Sequence, residues 1–232
     1  MSQNSTPSAE QQNTEQADRL AMQNWLSQRP DSSTVAQFVA GPGIDKLALR
    51  FDPDALKNAL HDCLSRRGYA GEMMDKGFAA LALTRRPGQT EMSPNDLSGR
   101  YWLREAESYD EVPREDFVDE AAFSELDPFY QNTYFATVHA ELTKRFRIGR
   151  MRVLSKSVYN CNSWHRDPEP RIHIPIITNP GSLFIVNHHV THLPADGSVY
   201  FTDTRGYHTA INGGETERVH IVAALPDGLT EV

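Results

Sequence analysis

His165, Asp167, His208 and Arg218 combine residue types and spacings that can do chemistry together. They read as His-x-Asp, a second His 41 positions after the Asp, and an Arg ten positions beyond that. Two imidazoles and one carboxylate can occupy one face of an iron ion and leave three coordination positions open. A fixed guanidinium nearby can clamp a dicarboxylate through two parallel hydrogen bonds. Metal ligation is therefore expected at His165, Asp167 and His208, and a diacid contact at Arg218. The chemistry implied is that of a non-haem Fe(II) enzyme that uses 2-oxoglutarate as co-substrate together with O2.

These side chains need strands to position them. In extended backbone, residues i and i+2 share a face, so His165 and Asp167 can reach one ion while Trp164 and Arg166 point away. After Gly149 the chain breaks into short apolar or alternating runs: 151–158, 171–178, 182–186, 198–202, 209–211 and 218–223. Turn clusters such as Asn179-Pro180-Gly181 and Pro194-Ala195-Asp196-Gly197 punctuate them. Short strands with regular turns predict a mainly β fold with supporting α-helices, its core a double-stranded β-helix (a cupin-like jelly roll). Asn212-Gly213-Gly214 lies midway between His208 and Arg218. A three-residue hairpin loop there would put the two side by side on one ladder; a two-residue Gly-Gly loop would reverse Arg218.

A buried Arg in an apolar strand needs a partner. For Arg218 that partner is either a diacid ligand or a protein acid such as Glu217 or Asp203. Arg171 and His173 share a strand face just after the first ligands, with Ile172 and Ile174 turned to the core. They are candidates for a co-substrate or substrate carboxylate.

Upstream, 46–51 alternates as a strand. Asp52-Pro53 supplies an N-cap and first-turn proline for an amphipathic helix over 53–66, closed by Gly68. A strand is expected over 78–84 and a second helix from Phe129 or Tyr130 to Phe146. A short helix is expected over 18–27. Residues 1–18, rich in Ser, Gln, Asn and Thr, are expected to be a disordered tail. Residues 19–145 are expected to form a support region and 146–232 the catalytic jelly roll, the two making one structural domain.

The chain has 232 residues and a net charge of −8. The stretch from Arg104 to Asp127 holds ten carboxylates against two arginines, which accounts for the whole imbalance. It is expected to be a solvated linker or helix surface, or else a lid attracting a cationic substrate. No basic face suggests nucleic acid, no apolar run approaches a membrane span, and nothing suggests export, so a cytoplasmic location is expected. The two cysteines, Cys63 and Cys161, are expected to be reduced thiols outside the site. His188, His189 and His192 are expected to form a hairpin lip near the site's mouth.

Four stretches, Gly149-Arg150-Met151-Arg152, Trp164-His165-Arg166-Asp167, Arg171-Ile172-His173-Ile174-Pro175 and His208…Arg218-Val219-His220, resemble the aspartyl/asparaginyl β-hydroxylase family of 2-oxoglutarate dioxygenases. That family's amino-acid relatives include cis-4-proline hydroxylase. The resemblance covers about a third of the chain. It implies iron on His165 and His208, and 2-oxoglutarate contacts on Arg171, His173 and Arg218. The protein-modifying members lack the acidic ligand that stands here as Asp167, so the small-molecule hydroxylases are the nearer likeness. The implied activity is hydroxylation of an amino acid, or of an amino-acid residue in a peptide, with release of succinate and CO2. The alternative is a metal-binding jelly-roll sensor without turnover, which needs no diacid clamp.

Overall fold

Alternating apolar and polar residues build fifteen strands among the described residues, which in this computed structural model are 8–27, 36–70, 77–99, 101–104, 110–114 and 117–231. In chain order they are β1 (Ile44–Arg50), β2 (Phe78–Ala82), β3 (Thr84–Arg85), β4 (Trp102–Arg104), β5 (Glu111–Pro113), β6 (Glu125–Leu126), β7 (Met151–Lys156), β8 (Asn160–Cys161), β9 (Trp164–Arg166), β10 (Arg171–Ile177), β11 (Ser182–Val186), β12 (His189–Thr191), β13 (Ser198–Thr202), β14 (His208–Asn212) and β15 (Arg218–Ala224). The helices are α1 (Ala9–Ser27), α2 (Pro53–Arg66), α3 (Pro94–Leu97) and α4 (Tyr134–Thr143).

Two antiparallel sheets carry the fold. The first, of six strands, has the order β1-β13-β10-β15-β7-β2, and the second, of seven, has the order β12-β11-β14-β9-β4-β5, with β8 also on β14. From β7 onward the chain passes from one sheet to the other: β7, β10, β13 and β15 lie in the first, and β9, β11, β12 and β14 in the second. This winding is a double-stranded β-helix, the expected fold class. The core assigned to 146–232 also draws β1, β2, β4 and β5 from the segment before it, extending both sheets.

The face on which each residue lies follows the pleat. On β10 and β15, Ile172, Ile174, Val219 and Ile221 turn outward and pack with Leu56, Leu60 and Cys63 of α2 and Phe135, Val138 and Leu142 of α4. Arg171, His173 and Arg218 turn toward the opposite sheet and its cavity. α2 begins as the sequence predicts: Asp52 Oδ1 accepts from the backbone N–H of Asp54 and Ala55 at 2.9 and 3.1 Å, and Pro53 occupies the first turn. Gly68, at φ 73°, lies in the left-handed region that closes such helices.

Three local expectations are corrected. The helix expected up to Phe146 is a 3-10 turn at Pro128–Tyr130 and then α4, because Thr133 is extended and bonds back to Tyr130 O at 2.8 Å. The strand expected over 78–84 divides at Leu83, whose N–H bonds Met151 O while Thr84–Arg85 pairs with β6. The helix expected from Asp18 starts at Ala9, which makes part of the expected tail helical; residues 1–7 lie outside the described residues. Its Ala, Gln and Glu content favours helix without packing, and within its own unit, residues 1–35, Leu20 and Met22 are exposed. Among the described residues no helix is long and apolar enough to cross a membrane.

Candidate metal centre

β9 and β14 pair so that His208 stands directly opposite His165. Their ring centroids lie 4.2 Å apart. Asp167 follows β9, tied by its N–H to Thr204 O at 2.8 Å. The ligand atoms of His165, Asp167 and His208 all fall within 4.8 Å of one another, and all three residues are buried. The extended His-x-Asp stretch thus gives the shared face that the sequence predicts.

Each imidazole has one nitrogen committed to the backbone. His165 Nδ1 lies 2.7 Å from Ser163 O and His208 Nδ1 3.1 Å from Gly206 O. Carbonyls only accept, so both Nδ1 atoms carry the hydrogen and both Nε2 atoms carry a lone pair. Burial holds His208 below the usual imidazole range, so it is neutral and able to ligate. Asp167 Oδ2 lies 3.4 Å from Arg171 Nε and 3.7 Å from His208 Nε2. Its Oδ1 is buried with no hydrogen-bond partner. An orphaned carboxylate oxygen beside two imidazole lone pairs is costly in a protein interior and is satisfied by a cation. This donor set fits a divalent metal of the 2-His-1-carboxylate kind.

The trio opens on a cavity of about 450 Å³ between the sheets, also lined by Arg152, Lys156, Arg171, His173, Phe184 and Arg218. Among the described residues of that lining Asp167 is the one acid, set against four cationic side chains. Arg218 is 4% exposed, and its Nη2 donates to His220 Nδ1 at 2.9 Å. Among the described residues no carboxylate pairs with it. Asp203 is held by Arg205 and Glu217 by Ser155, so neither protein acid proposed as its partner serves. Burial alone pulls its pKa down to about 9.

His208 and Arg218 do not share a hairpin. β14 pairs with β11, β8 and β9, whereas β15 pairs with β10 and β7. The two residues face the same cavity from opposite sheets. Asn212-Gly213-Gly214 begins the crossing, and Asn212 Nδ2 donates to Lys156 O, Ser157 O and Thr216 O. Gly214 lies so close to the Asn179 side chain that a Cβ would overlap it. The glycines permit close approach at a sheet-to-sheet passage, a need that looks identical to a hairpin turn in sequence.

Arg171 also departs from its expected role. Its guanidinium is engaged by Glu120 at 3.0 Å, Glu169 at 3.2 Å and Asp167 at 3.4 Å. It braces a metal-facing carboxylate and has little left for a ligand. His173 lines the cavity, its ring 5.0 Å from Phe184 and 5.7 Å from His220. His220 Nδ1 already accepts from Arg218, so the contact from His173 Nδ1 at 3.4 Å assigns the hydrogen to His173.

Sequence reasoning missed Glu120, Arg152, Lys156 and His220. Glu120, inside the acidic run, is fully buried rather than solvated. It accepts from Arg150 Nε at 2.9 Å and Nη2 at 2.6 Å, from Arg171, and from Tyr101 Oη. Glu111, from the same run, holds Arg166 through two 2.7 Å bonds and accepts from Tyr207 Oη at 2.5 Å. It thereby ties down the residues next to both His165 and His208 from the outer face. Of the described acids of this segment, Glu111 and Glu120 brace the site, Asp119 and Asp127 cap 3-10 turns, and Glu125 pairs with Arg85. The expected lip of histidines is a β11–β12 hairpin turned through Asn187 and His188. His189 binds Val39 O and His192 binds Ser182 O, and none of the three lines the cavity. Cys161 lies at the cavity wall, outside the trio.

No protein-family model matches the chain, and no curated protein matches it. Solved structures with a similar course include an oxidoreductase of the 2OG-Fe(II) oxygenase family from Burkholderia pseudomallei, at TM-score 0.44 and 15% identity over 78% of this chain and 83% of that one. A Pseudomonas putida prolyl-4-hydroxylase is similar at TM-score 0.40 and 11% identity, over 79% and 91%. A DMSP lyase from Ruegeria pomeroyi is similar at TM-score 0.37 and 12% identity, over 91% of each chain. Likenesses this distant carry no weight for function, and a hydroxylase and a lyase both appear among them.

Proposed function

We propose that the chain is an Fe(II)- and 2-oxoglutarate-dependent dioxygenase that hydroxylates an amino acid or an amino-acid residue of a peptide. Arg218 carries the proposal: a buried guanidinium with no carboxylate partner among the described residues, in the same cavity as a 2-His-1-carboxylate trio. A metal-binding sensor has no use for that cation, whereas a bound diacid supplies its missing partner. The aspartyl/asparaginyl β-hydroxylase resemblance points the same way, with Asp167 favouring its small-molecule relatives.

Iron held by His165, Asp167 and His208 would supply O2 activation coupled to conversion of 2-oxoglutarate to succinate and CO2, and thereby C–H oxidation of the substrate. The protein's part is placement. The Ser163 and Gly206 carbonyls fix the tautomers of His165 and His208. Arg171 holds one oxygen of Asp167 and leaves the other for the metal. Arg218 receives the far carboxylate of the co-substrate, and His173 stands along the wall between the two ends. Burial also keeps His173 neutral by lowering its pKa well below the usual range.

Asp167→Ala removes the anionic ligand and leaves Arg171 without one of its three acids. Metal affinity is expected to fall at least about tenfold, read by titrating the protein with Fe(II) or Mn(II) without oxygen. Affinity unchanged in the variant would remove Asp167 from the metal shell. The function itself is tested by succinate release that needs both iron and 2-oxoglutarate. Its absence with every candidate substrate would leave a binding module.

A further inference from the structure

The cavity contains a second buried arginine that the co-substrate does not explain. Arg152 is 3% exposed and lies on β7 with its side chain in the cavity wall. Its Nη1 donates to Leu97 O at 2.7 Å and Ser98 O at 2.8 Å, just past α3. A Cβ on Gly99 would come within 3.0 Å of both terminal nitrogens, so the guanidinium is pressed against backbone that itself lines the cavity. Its Nε is buried without a partner. Among the described residues no carboxylate forms an ion pair with it; Glu120, the nearest compensating charge, is taken by Arg150 and Arg171. Burial and the neighbouring Arg150 pull its pKa down to about 9.

Its place in the register separates it from Arg218. Arg152 stands opposite Val222, level with His173 across β15, whereas Arg218 stands opposite Lys156. The four-residue offset is about 13 Å at 3.3 Å per residue. A five-carbon diacid spans only about 5 Å between its end carbons, being four bonds of about 1.5 Å in a zigzag. Arg218 and Lys156 form one anion-binding pole, and Arg152, four residues away along β7 and level with His173, forms another.

We infer that Arg152 is the anchor for a carboxylate on the primary substrate, so that this site takes an acid rather than a neutral or cationic molecule. The inference rests on the co-substrate assignment above and adds the substrate's class. Two anions then enter one cavity: the co-substrate on Arg218 and the substrate on Arg152, which offsets the excess of cationic side chains there. It also runs against a cationic substrate drawn in by the acidic segment, whose buried Glu120 is already paired. A carboxylate on Arg152 would satisfy the orphaned Nε and fix which carbon faces the trio, since one end of the substrate is held at a defined point of the wall.

The test uses full-length protein loaded with Mn(II) and 2-oxoglutarate, which permits binding without turnover. Matched probes are titrated by calorimetry: common amino acids and their N-acetyl derivatives against their primary amides, and aspartate and glutamate against asparagine and glutamine. At least one free acid is expected to bind about tenfold or more tightly than its amide partner, the scale of about 1.4 kcal/mol. Arg152→Gln is expected to abolish that difference while leaving 2-oxoglutarate affinity within about twofold, and Arg152→Lys to retain part of it. Equal binding of acid and amide would overturn the assignment, as would failure of every acid to bind the loaded protein. Loss of 2-oxoglutarate affinity in Arg152→Gln would also overturn it, by giving the residue to the co-substrate. The wild-type comparison stands even if a variant fails to fold. Failure of the wild-type protein to take up 2-oxoglutarate with Mn(II) is a separate result, and it would sink the co-substrate reading itself.

Discussion

Arg218→Ala should weaken 2-oxoglutarate binding about 30-fold or more while leaving the metal in place. Truncating one partner of a buried charge pair costs about 2–5 kcal/mol, and about 1.4 kcal/mol is a factor of ten. Arg218 is buried and faces the cavity, and among the described residues its one hydrogen-bond partner is neutral His220. The free protein therefore holds an uncompensated cation, and a carboxylate that reaches it gains a full ion pair. Lys at this position keeps the charge but loses the two-pronged geometry, so Arg218→Lys should recover only part of the affinity. Pyruvate gives an internal control, because it keeps the metal-binding end of the co-substrate and lacks the far carboxylate. Wild type and Arg218→Ala should bind pyruvate alike. If Arg218→Ala bound 2-oxoglutarate normally, the diacid clamp would have to lie elsewhere and the dioxygenase proposal would lose its main support.

Glu120→Ala should be the most destabilising single change around the site, costing about 3–5 kcal/mol in urea unfolding. Removing one partner of a buried ion pair leaves an uncompensated charge behind, and Glu120 serves two buried arginines, Arg150 and Arg171. The damage should reach the metal, because Arg171 loses its main anchor and with it the hold on Asp167. A loss of stability with undiminished Mn(II) affinity would show that the brace is structural only. The same carboxylate has a pH signature. Burial pushes its pKa up, but Arg171 and Arg150 overcome that and hold it at about 2, below its ordinary 4.5. A depressed acid contributes stability that is complete above the unfolded value and is lost as pH falls toward the folded one. Wild type should therefore lose stability between about pH 4.5 and 2 more steeply than Glu120→Gln. Other depressed acids, such as Glu111 and Asp203, are common to both proteins, so the difference between them reports Glu120.

The strands after Gly149 were legible because period-two alternation and turn residues agree along the whole stretch. β11 and β13 match the expected 182–186 and 198–202, and α2 matches 53–66. The ligand trio was legible for a local reason: His-x-Asp in extended backbone can only share a face. The partner of β14 was not legible. A glycine pair serves a hairpin turn and a close sheet-to-sheet passage equally well, and only long-range pairing separates the two. Glu120 could not be picked from ten acids by counting charge; its one local hint is the apolar company of Val118, Ala121 and Phe123. Arg152 and Lys156 were readable in principle, since Arg152, Leu154 and Lys156 alternate with the core residues Met151 and Val153 on β7. Their significance depends on facing the trio across a cavity, which alternation does not reveal.

The separation of His208 and Arg218 onto opposing layers turns the site into a ruler. Sandwich thickness, about 10 Å, less the reach of the side chains from each layer, sets how far apart the two ends of a keto diacid must be. Oxaloacetate, one carbon shorter, and 2-oxoadipate, one longer, should both be rejected on length alone despite identical charge. Trimming Phe184, which stands on the trio's own sheet against His173, is the substitution expected to shift that preference toward the longer acid.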